Sequence, residues 1–313
     1  MGNEQADTLV LILSRIEPQW GSDSYTDVYE TYQDNSSKLT RIARRFSFGA
    51  GFVINRDWKK RLHTYDLIVI EDMAATDGLL RWLTGHKAKD ARVAVCCLNR
   101  FSQISSFFMH DLHEKGIELW TYNKIDAEVK HSYYFNQFHN RELFEKTISE
   151  AGAAEENGEQ FDAAFIGANK GREEQIRQLF EKMDEEGLHT WCYAVDVNGY
   201  AQNRWTPGPR MTYPEYLKIA SRSKAIVDLV TKNNYGLTWR PIEALFLQKK
   251  LITNYKEIVQ EPFYRKENIY ILGEEDSRSF TEFLETDGAY IPEEIKEQYD
   301  FRCFCNRIRN YCN

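Results

Sequence analysis

Short apolar runs, rich in branched side chains, recur along this chain with room for a helix between them. The first is TLVLILSRI at 8–16, and the pattern returns in YDLIVI at 65–70, RVAVCCL at 92–98 and IELWTY at 117–122. Continuous apolar runs of this length are typical of strands buried on both faces, which occur in parallel sheets. The intervening stretches have helical character, and DGLLRWLTGHK begins with Asp77 as its predicted N-cap. The alternation predicts a doubly wound α/β domain.

The pattern restarts in the second half of the chain. The small, acidic and aperiodic stretch AGAAEENGEQ at 151–160 predicts a linker, and FDAAFIG at 161–167 predicts the next buried strand. A length of 313 residues fits two domains of roughly 100–200 residues each. We therefore expect two Rossmann-like domains that face a cleft, at 1–150 and at 161–313. The last helix is expected to pack back on the first domain.

Composition excludes several classes of protein. The chain has 40 Lys and Arg against 48 Asp and Glu, a net charge of -8, which argues against a general nucleic-acid-binding protein. No apolar run reaches the roughly 20 residues that a bilayer span needs. The N-terminus carries acids where a signal peptide has a basic region. We expect a cytoplasmic protein in which any basic site is local.

One segment of the second half resembles an anion site. Gly236, Leu237 and Thr238 directly precede a predicted helix with Pro241 in its first turn. A helix start offers unpaired N–H groups and the positive end of the helix dipole, and the guanidinium of Arg240 suits phosphate oxygens. Glu243, one turn further on, could accept hydrogen bonds from a ribose. The alternative is a capped core helix whose first-turn acid is favoured by the dipole alone.

A second turn of the same half carries two cations. Lys170 and Arg172 follow the strand FDAAFIG, and the carboxyl ends of strands are where open α/β sheets bind ligands. The turn would suit a diphosphate, although it matches neither the dinucleotide fingerprint nor the P-loop. A solvated turn is the alternative. Taken together, the two segments favour a nucleotide.

The residues of these segments also resemble a known family. FIGANKGREEQIRQLFEKM, YPEYLKIASRSKAIVDLV, GLTWRPIEALFLQKKLITN and PFYRKENIYIL resemble the C-terminal half of GT-B-type glycosyltransferases of bacterial capsule and lipopolysaccharide biosynthesis. YDLIVIED, RVAVCCLN and GIELWTYNKIDAEVKHSYYFNQFH resemble the acceptor-side domain of that family. The resemblance covers most of residues 65–273.

The resemblance implies a hexosyltransferase that takes a nucleotide-sugar as substrate, without a cofactor or a metal site, and a glycan or lipid-linked acceptor. It implies that Lys170, Arg172, the loop from Gly236 to Arg240, and Glu243 hold the donor, with Glu243 on the ribose. The paired glutamates of many retaining GT-B enzymes are absent, because Tyr235, which is not an acid, lies eight residues before Glu243. A catalytically silent subunit that binds a partner transferase or a glycan is therefore the alternative function.

An inverting transferase also needs a general base from the first domain. Asp72 and Glu71 follow the YDLIVI strand, and Asp77 lies a few residues beyond. Asp72 is our first choice, followed by Glu71. The alternative roles are helix capping for Asp77 and strand-end solvation for the other two.

A basic amphipathic segment lies near the N-terminus. SSKLTRIARRF at 36–46 places Lys38, Arg41 and Arg45 on one helical face and Leu39, Ile42, Ala43 and Phe46 on another, and Arg56, Lys59, Lys60 and Arg61 follow. A basic amphipathic helix in an acidic protein favours contact with an anionic membrane, here the inner face of the cell membrane. We predict such contact through residues 38–61. The alternative is a surface helix packed on its own sheet.

Overall fold

The computed structural model describes residues 9–14, 25–34, 37–101, 112–150, 160–195, 211–231, 236–273 and 278–311. Contacts divide the chain into two compact units. Unit 1 comprises Met1–Asn136 and Phe301–Asn313, and unit 2 comprises Gln137–Asp300. Each unit contains one parallel sheet with helices, which confirms the predicted α/β class. Across the described residues, no helix has both the length and the apolar character that a bilayer span requires.

Unit 1 is built on a six-stranded sheet in the order β2-β1-β3-β4-β5-β6. Its strands are β1 (Val10–Ser14), β2 (Thr26–Glu30), β3 (Leu67–Glu71), β4 (Arg92–Cys97), β5 (Ile117–Thr121) and β6 (Tyr133–Tyr134). All neighbours pair in parallel. Every residue of β1 and β3 is buried, as the continuous apolar runs predict. The sequence pattern did not indicate β2 or β6.

Unit 2 is built on a five-stranded parallel sheet in the order β11-β10-β9-β7-β8. Its strands are β7 (Phe161–Ala168), β8 (Thr190–Val195), β9 (Ser223–Asp228), β10 (Lys250–Thr253) and β11 (Ile269–Ile271). One apolar cluster contains Phe165 and Phe180, and another contains Ile226 and Ile242. The strands therefore lie in an apolar interior, with their ends left to carry polar groups.

The helices follow the chain through both units. They are α1 (Lys38–Ala43), α2 (Ser47–Val53), α3 (Arg56–Arg61), α4 (Asp77–His86), α5 (Lys124–Val129), α6 (Arg141–Glu150), α7 (Glu173–Glu185), α8 (Tyr213–Ser221), α9 (Trp239–Leu247), α10 (Phe280–Glu285), α11 (Glu293–Glu297) and α12 (Phe301–Arg309), with short 3-10 helices at Leu62–Thr64 and Lys256–Gln260. The prediction that Asp77 caps α4 is wrong. Thr76 is the N-cap, and its Oγ1 accepts a hydrogen bond from the Leu79 N–H at 3.3 Å.

The division between the units differs from the predicted limits at 150 and 161. The chain divides after Asn136, because α6 belongs to unit 2, where the ring of Phe144 packs edge-on against Phe246 at 5.8 Å. Helix α12 belongs to unit 1, where the ring of Phe304 lies 5.2 Å from that of Phe135. Residues 151–159 of the predicted linker lie outside the described residues.

Both sheets have the same strand order in terms of chain sequence. In each unit the second strand lies on one side of the first, and the third strand lies on the other side. The order therefore reverses between β1 and β3 in unit 1, and between β7 and β9 in unit 2. Ligands of open α/β sheets bind beyond the carboxyl ends of the strands at such a switch point.

Candidate functional site

The switch point of unit 2 gathers the turn after β7, the last residue of β9 and the segment that leads into α9. We call this region the unit 2 rim; it comprises Asn169–Arg172, Asp228 and Gly236–Arg240. Lys170 and Gly171 both adopt left-handed backbone angles, with φ of 48° and 76°. This conformation turns the chain sharply, and the Asn169 Oδ1 accepts a hydrogen bond from the Arg172 N–H at 2.9 Å. The turn therefore returns Arg172 to the strand end.

The main chain holds the Arg172 guanidinium. Its Nε donates to the Asn169 carbonyl at 3.0 Å, and its Nη2 donates to the Ala168 carbonyl at 2.5 Å. Burial, with the nearby charge of Arg240, lowers the pKa of Arg172 to about 10. Arg172 is therefore still a cation at neutral pH. Lys170, on the same turn, is exposed.

Arg240 reaches the same strand end from the first turn of α9. Its Nη2 donates to the Ile166 carbonyl at 2.6 Å, and its Nη1 lies 3.6 Å from an Asp228 carboxylate oxygen. Both guanidiniums lie over the ring of Phe165, at 5.9 Å for Arg172 and 5.4 Å for Arg240. A Cβ atom at Gly167 would clash with Nη2 of Arg240. Glycine at this position therefore allows Arg240 to approach the strand.

Asp228 is the counter-charge of the rim, and the sequence did not single it out. Its side chain is fully buried, and burial raises its pKa although Arg240 acts in the opposite direction. Oδ1 accepts a hydrogen bond from the Thr238 hydroxyl at 3.0 Å, and Oδ2 accepts one from Thr253 at 3.4 Å. The Thr238 hydroxyl thus binds Asp228 and makes no capping hydrogen bond to α9. Two arginines against one carboxylate leave this part of the rim cationic.

The structure places Glu243 beneath the rim. The residue is 2% exposed, and burial raises the pKa of its carboxyl group. One carboxylate oxygen accepts a hydrogen bond from the Tyr213 hydroxyl at 3.0 Å, and the other accepts one from the Tyr216 hydroxyl. A contact between Glu243 and a ribose stays a prediction. Leu237, another predicted donor-binding residue, has its side chain in the apolar core, and Gly236 is buried.

His139 extends the hydrogen bonds of Glu243. Its Nε2 lies 2.5 Å from the Tyr213 hydroxyl oxygen, and its ring stacks on that tyrosine. Burial lowers the pKa of His139 to about 4, so the imidazole is neutral at pH 7. Nδ1 lies 3.4 Å from the Asn140 carbonyl oxygen, which can only accept, so a neutral His139 donates either to that carbonyl or to the Tyr213 oxygen, but not to both. We call His139, Tyr213, Tyr216 and Glu243 the polar network; the sequence indicated only Glu243 strongly.

The switch point of unit 1 contains the predicted base residues. Glu71 and Asp72 are each 3% exposed, and Glu71 accepts a hydrogen bond from the Ser14 hydroxyl at the end of β1. Asp72 accepts from the Met73 N–H at 2.8 Å and from the Asn99 N–H and side-chain amide at 3.0 and 3.1 Å. Burial raises the pKa of Asp72 to about 6, despite these hydrogen bonds. The base role of either residue stays a prediction.

Helices α1 and α2 present apolar side chains to the outside of unit 1. We call this region the exposed apolar surface; its members and their exposed fractions are Leu39 at 72%, Ile42 at 61%, Phe46 at 66%, Phe48 at 80% and Phe52 at 70%. Lys38, Arg41 and Arg45 are exposed beside them. The apolar face of α1 is therefore not packed on the sheet. Apolar patches of this kind mark interaction surfaces in soluble proteins.

No family model and no curated protein matches this sequence. The chain is similar to several solved structures, three of which are described below. Anabaena Alr3699/HepE in complex with UDP shares 9% identity at a TM-score of 0.45, over 96% of this chain and 98% of that chain. An α1,3-fucosyltransferase with GDP shares 10% sequence identity at a TM-score of 0.43, over 99% of this chain and 84% of that chain. An α-glucosyltransferase in complex with UDP and a 13-mer DNA containing a central A:G mismatch shares 13% sequence identity at a TM-score of 0.45. The match covers 97% of this chain and 84% of that chain. These values do not assign the chain to a family.

Proposed function

We propose that this chain is a glycosyltransferase. It would move a sugar from a nucleotide-sugar donor to a glycan or lipid-linked acceptor in bacterial surface polysaccharide biosynthesis. One observation carries the proposal: Arg172 and Arg240 meet over Phe165 at the switch point of unit 2, beside the start of α9. Cationic groups at a strand-end switch point suit the diphosphate of such a donor.

The rim offers the chemistry that a departing nucleoside diphosphate requires. Charge develops on the diphosphate oxygens as the bond to the sugar breaks, and groups fixed in advance stabilise that charge most effectively. Main-chain carbonyls already hold both guanidiniums in place. The start of α9 adds the positive end of the helix dipole, and Lys170 lies on the adjoining turn. These groups would replace a divalent metal in neutralising the leaving group.

For the acceptor, we propose Asp72 as the general base, with Glu71 as the second choice. A base operates best when its pKa is close to the working pH, and burial moves the pKa of Asp72 in that direction. Asp72 also lies at the carboxyl edge of β3, beside the switch point of unit 1. Its hydrogen bonds to Met73 and Asn99 would fix the orientation of the carboxylate.

We also propose that residues 38–61 contact an anionic membrane surface, where a lipid-linked acceptor would be found. The support is the exposed apolar surface of α1 and α2 beside Lys38, Arg41 and Arg45. Apolar side chains can enter the headgroup region, and each nearby Lys or Arg adds attraction to anionic lipids. The phenyl rings of Phe48 and Phe52 pack edge to face at 4.9 Å, so they would enter together.

Replacement of Arg172 by Gln should weaken UDP or GDP binding about tenfold or more, because a charge-assisted hydrogen bond to phosphate is lost. Isothermal titration calorimetry in EDTA measures this constant without divalent metal. Arg177→Gln is the matched control, since Arg177 is exposed on α7 and pairs with Glu174 and Glu181. Loss of wild-type binding in EDTA would contradict metal independence. An Arg172→Gln variant that binds UDP or GDP as tightly as the wild type would exclude the phosphate role of Arg172.

If the carboxylate binds the ribose, replacement of Glu243 by Gln should weaken the binding of UDP by about tenfold and leave the affinity for inorganic pyrophosphate nearly unchanged. Calorimetry with both ligands separates the two effects. Tyr216→Phe is the control, because it removes a hydrogen bond to Glu243 without removing the carboxylate. Equal losses of affinity for UDP and for pyrophosphate would show that Glu243 only positions the rim.

Replacement of Asp72 by Asn should lower sugar transfer by about 100- to 10,000-fold and preserve nucleotide affinity. The wild-type rate should rise as pH increases through about 6, because only the deprotonated carboxylate accepts the acceptor proton. A transfer assay across pH 5–8, with exposed Asp57→Asn as control, measures both effects. Turnover within about threefold of wild type would place the base elsewhere. Nucleotide binding without any wild-type transfer would favour the silent-subunit alternative.

Replacement of both Phe48 and Phe52 by Ser should reduce sedimentation with anionic vesicles. Binding by the wild type should also fall with salt, because the Debye length shortens from about 10 Å at 0.1 M to about 3 Å at 1 M ionic strength. Val129→Ser removes a comparably exposed apolar side chain outside the surface and serves as control. Equal sedimentation with neutral and anionic vesicles would rule out the electrostatic contact.

A further inference from the structure

Unit 2 contains a cavity of about 540 Å³ at the edge of the sheet opposite the rim. Its walls include Lys224, Leu251 and Ile269, which lie at the amino ends of β9, β10 and β11, and the last turn of α9. The strands are parallel, so their amino ends and carboxyl ends lie at different edges. The cavity is therefore separate from the rim. Its volume lies within the roughly 300–1,000 Å³ typical of small-molecule sites.

The lining of this cavity is cationic. Four lysines contribute to it, and no carboxylate does among the described residues that form its walls: Lys224, Lys249, Lys250 and Lys296. Three of these lysines already have partners. Lys224 pairs with Asp162 at 2.8 Å, and Lys296 lies 3.5 Å from Glu293. Lys250 donates to the carbonyls of Phe283 and Thr286 at the end of α10. We call this site the lysine cavity.

Lys249 differs from the other three. It follows Gln248, whose left-handed conformation (φ 54°) ends α9 and directs the chain into β10. Within the described residues, the ammonium group of Lys249 forms no ion pair or hydrogen bond. Burial lowers its pKa below the ordinary value for lysine. A partly desolvated ammonium without a counter-charge is a group that an anionic ligand would stabilise.

Another wall of the cavity is fixed in position. The Asn268 side-chain amide donates to the Ala289 carbonyl at 2.8 Å, and the Ala289 N–H donates to the Asn268 Oδ1 at 2.7 Å. This pair holds the segment 288–291, which lines the cavity. Leu245 and Phe263 supply apolar surface within the same lining. A fixed, partly apolar wall near a cation suits a ligand with an apolar body and one anionic group.

We propose that the lysine cavity binds a small organic anion. Its phosphate or carboxylate group pairs with Lys249, and its apolar body lies against Leu245 and Phe263. The site does not depend on the proposed transferase activity, because the residues that form it are not those of the rim.

Phenyl phosphate is a suitable probe, since it joins an apolar ring to a single phosphate. Calorimetry on the full chain should show that it binds more tightly than inorganic phosphate or benzyl alcohol, each of which offers one half of the contact. Lys249→Gln should weaken the binding of phenyl phosphate about tenfold, whereas Lys249→Arg, which keeps the charge, should retain binding. Lys182→Gln, at an exposed position of α7, is the matched control and should bind as wild type does.

Three results of the calorimetry would overturn the proposal. Wild type could fail to bind phenyl phosphate better than the two half-ligands. Lys182→Gln could lose as much affinity as Lys249→Gln, which would show general attraction to cations. Arg172→Gln could abolish binding while Lys249→Gln retains it, which would place the probe at the rim. Acetylation of wild type by acetic anhydride provides a test without substitutions: phenyl phosphate should protect Lys249 and not Lys182, and equal labelling of Lys249 with and without the probe would refute the site.

Discussion

The hydrogen bonding of one central strand in each unit determines where the polar groups of this protein meet. β1 pairs in parallel with β2 and β3, and β7 pairs in parallel with β8 and β9. Because the second strand of each sheet lies on one side of the first and the third strand lies on the other, the strand order reverses at β1 and at β7, where open α/β sheets bind ligands. This pairing lets Arg240 reach the Ile166 carbonyl across 74 residues of sequence.

Buried carboxyl groups occur at both switch points, and each has a different set of hydrogen-bond donors. Asp228 relies on two threonine hydroxyls and the charge of Arg240, whereas Asp72 relies on N–H groups of Met73 and Asn99. A buried carboxyl group without such partners would destabilise the fold. The hydrogen bonds that satisfy these two carboxyl groups also hold the side chains of Thr238, Thr253 and Asn99 in place.

The features that depend on local patterns can be predicted from the sequence. The central strands are continuous apolar runs, and Lys170, Arg172 and Arg240 directly follow or precede predicted elements. β2 was missed because TDVYE is a partly exposed edge strand without such a run. Asp228 was missed because it lies inside the apolar segment KAIVDLV. The burial of Glu243 depends on Tyr213 and Tyr216 from another helix, which spacing along the sequence cannot reveal.

The same rigid element forms part of two separate regions of unit 2. Helix α9 carries Arg240 in its first turn, at the rim, and its last turn lines the lysine cavity. At 1.5 Å per residue, its nine residues span only about 13 Å, and the helix has no internal break that would let one end move alone. A ligand that displaces α9 at one end must therefore alter affinity at the other. Thermodynamic reciprocity then requires the two ligands to change each other's affinity by the same factor.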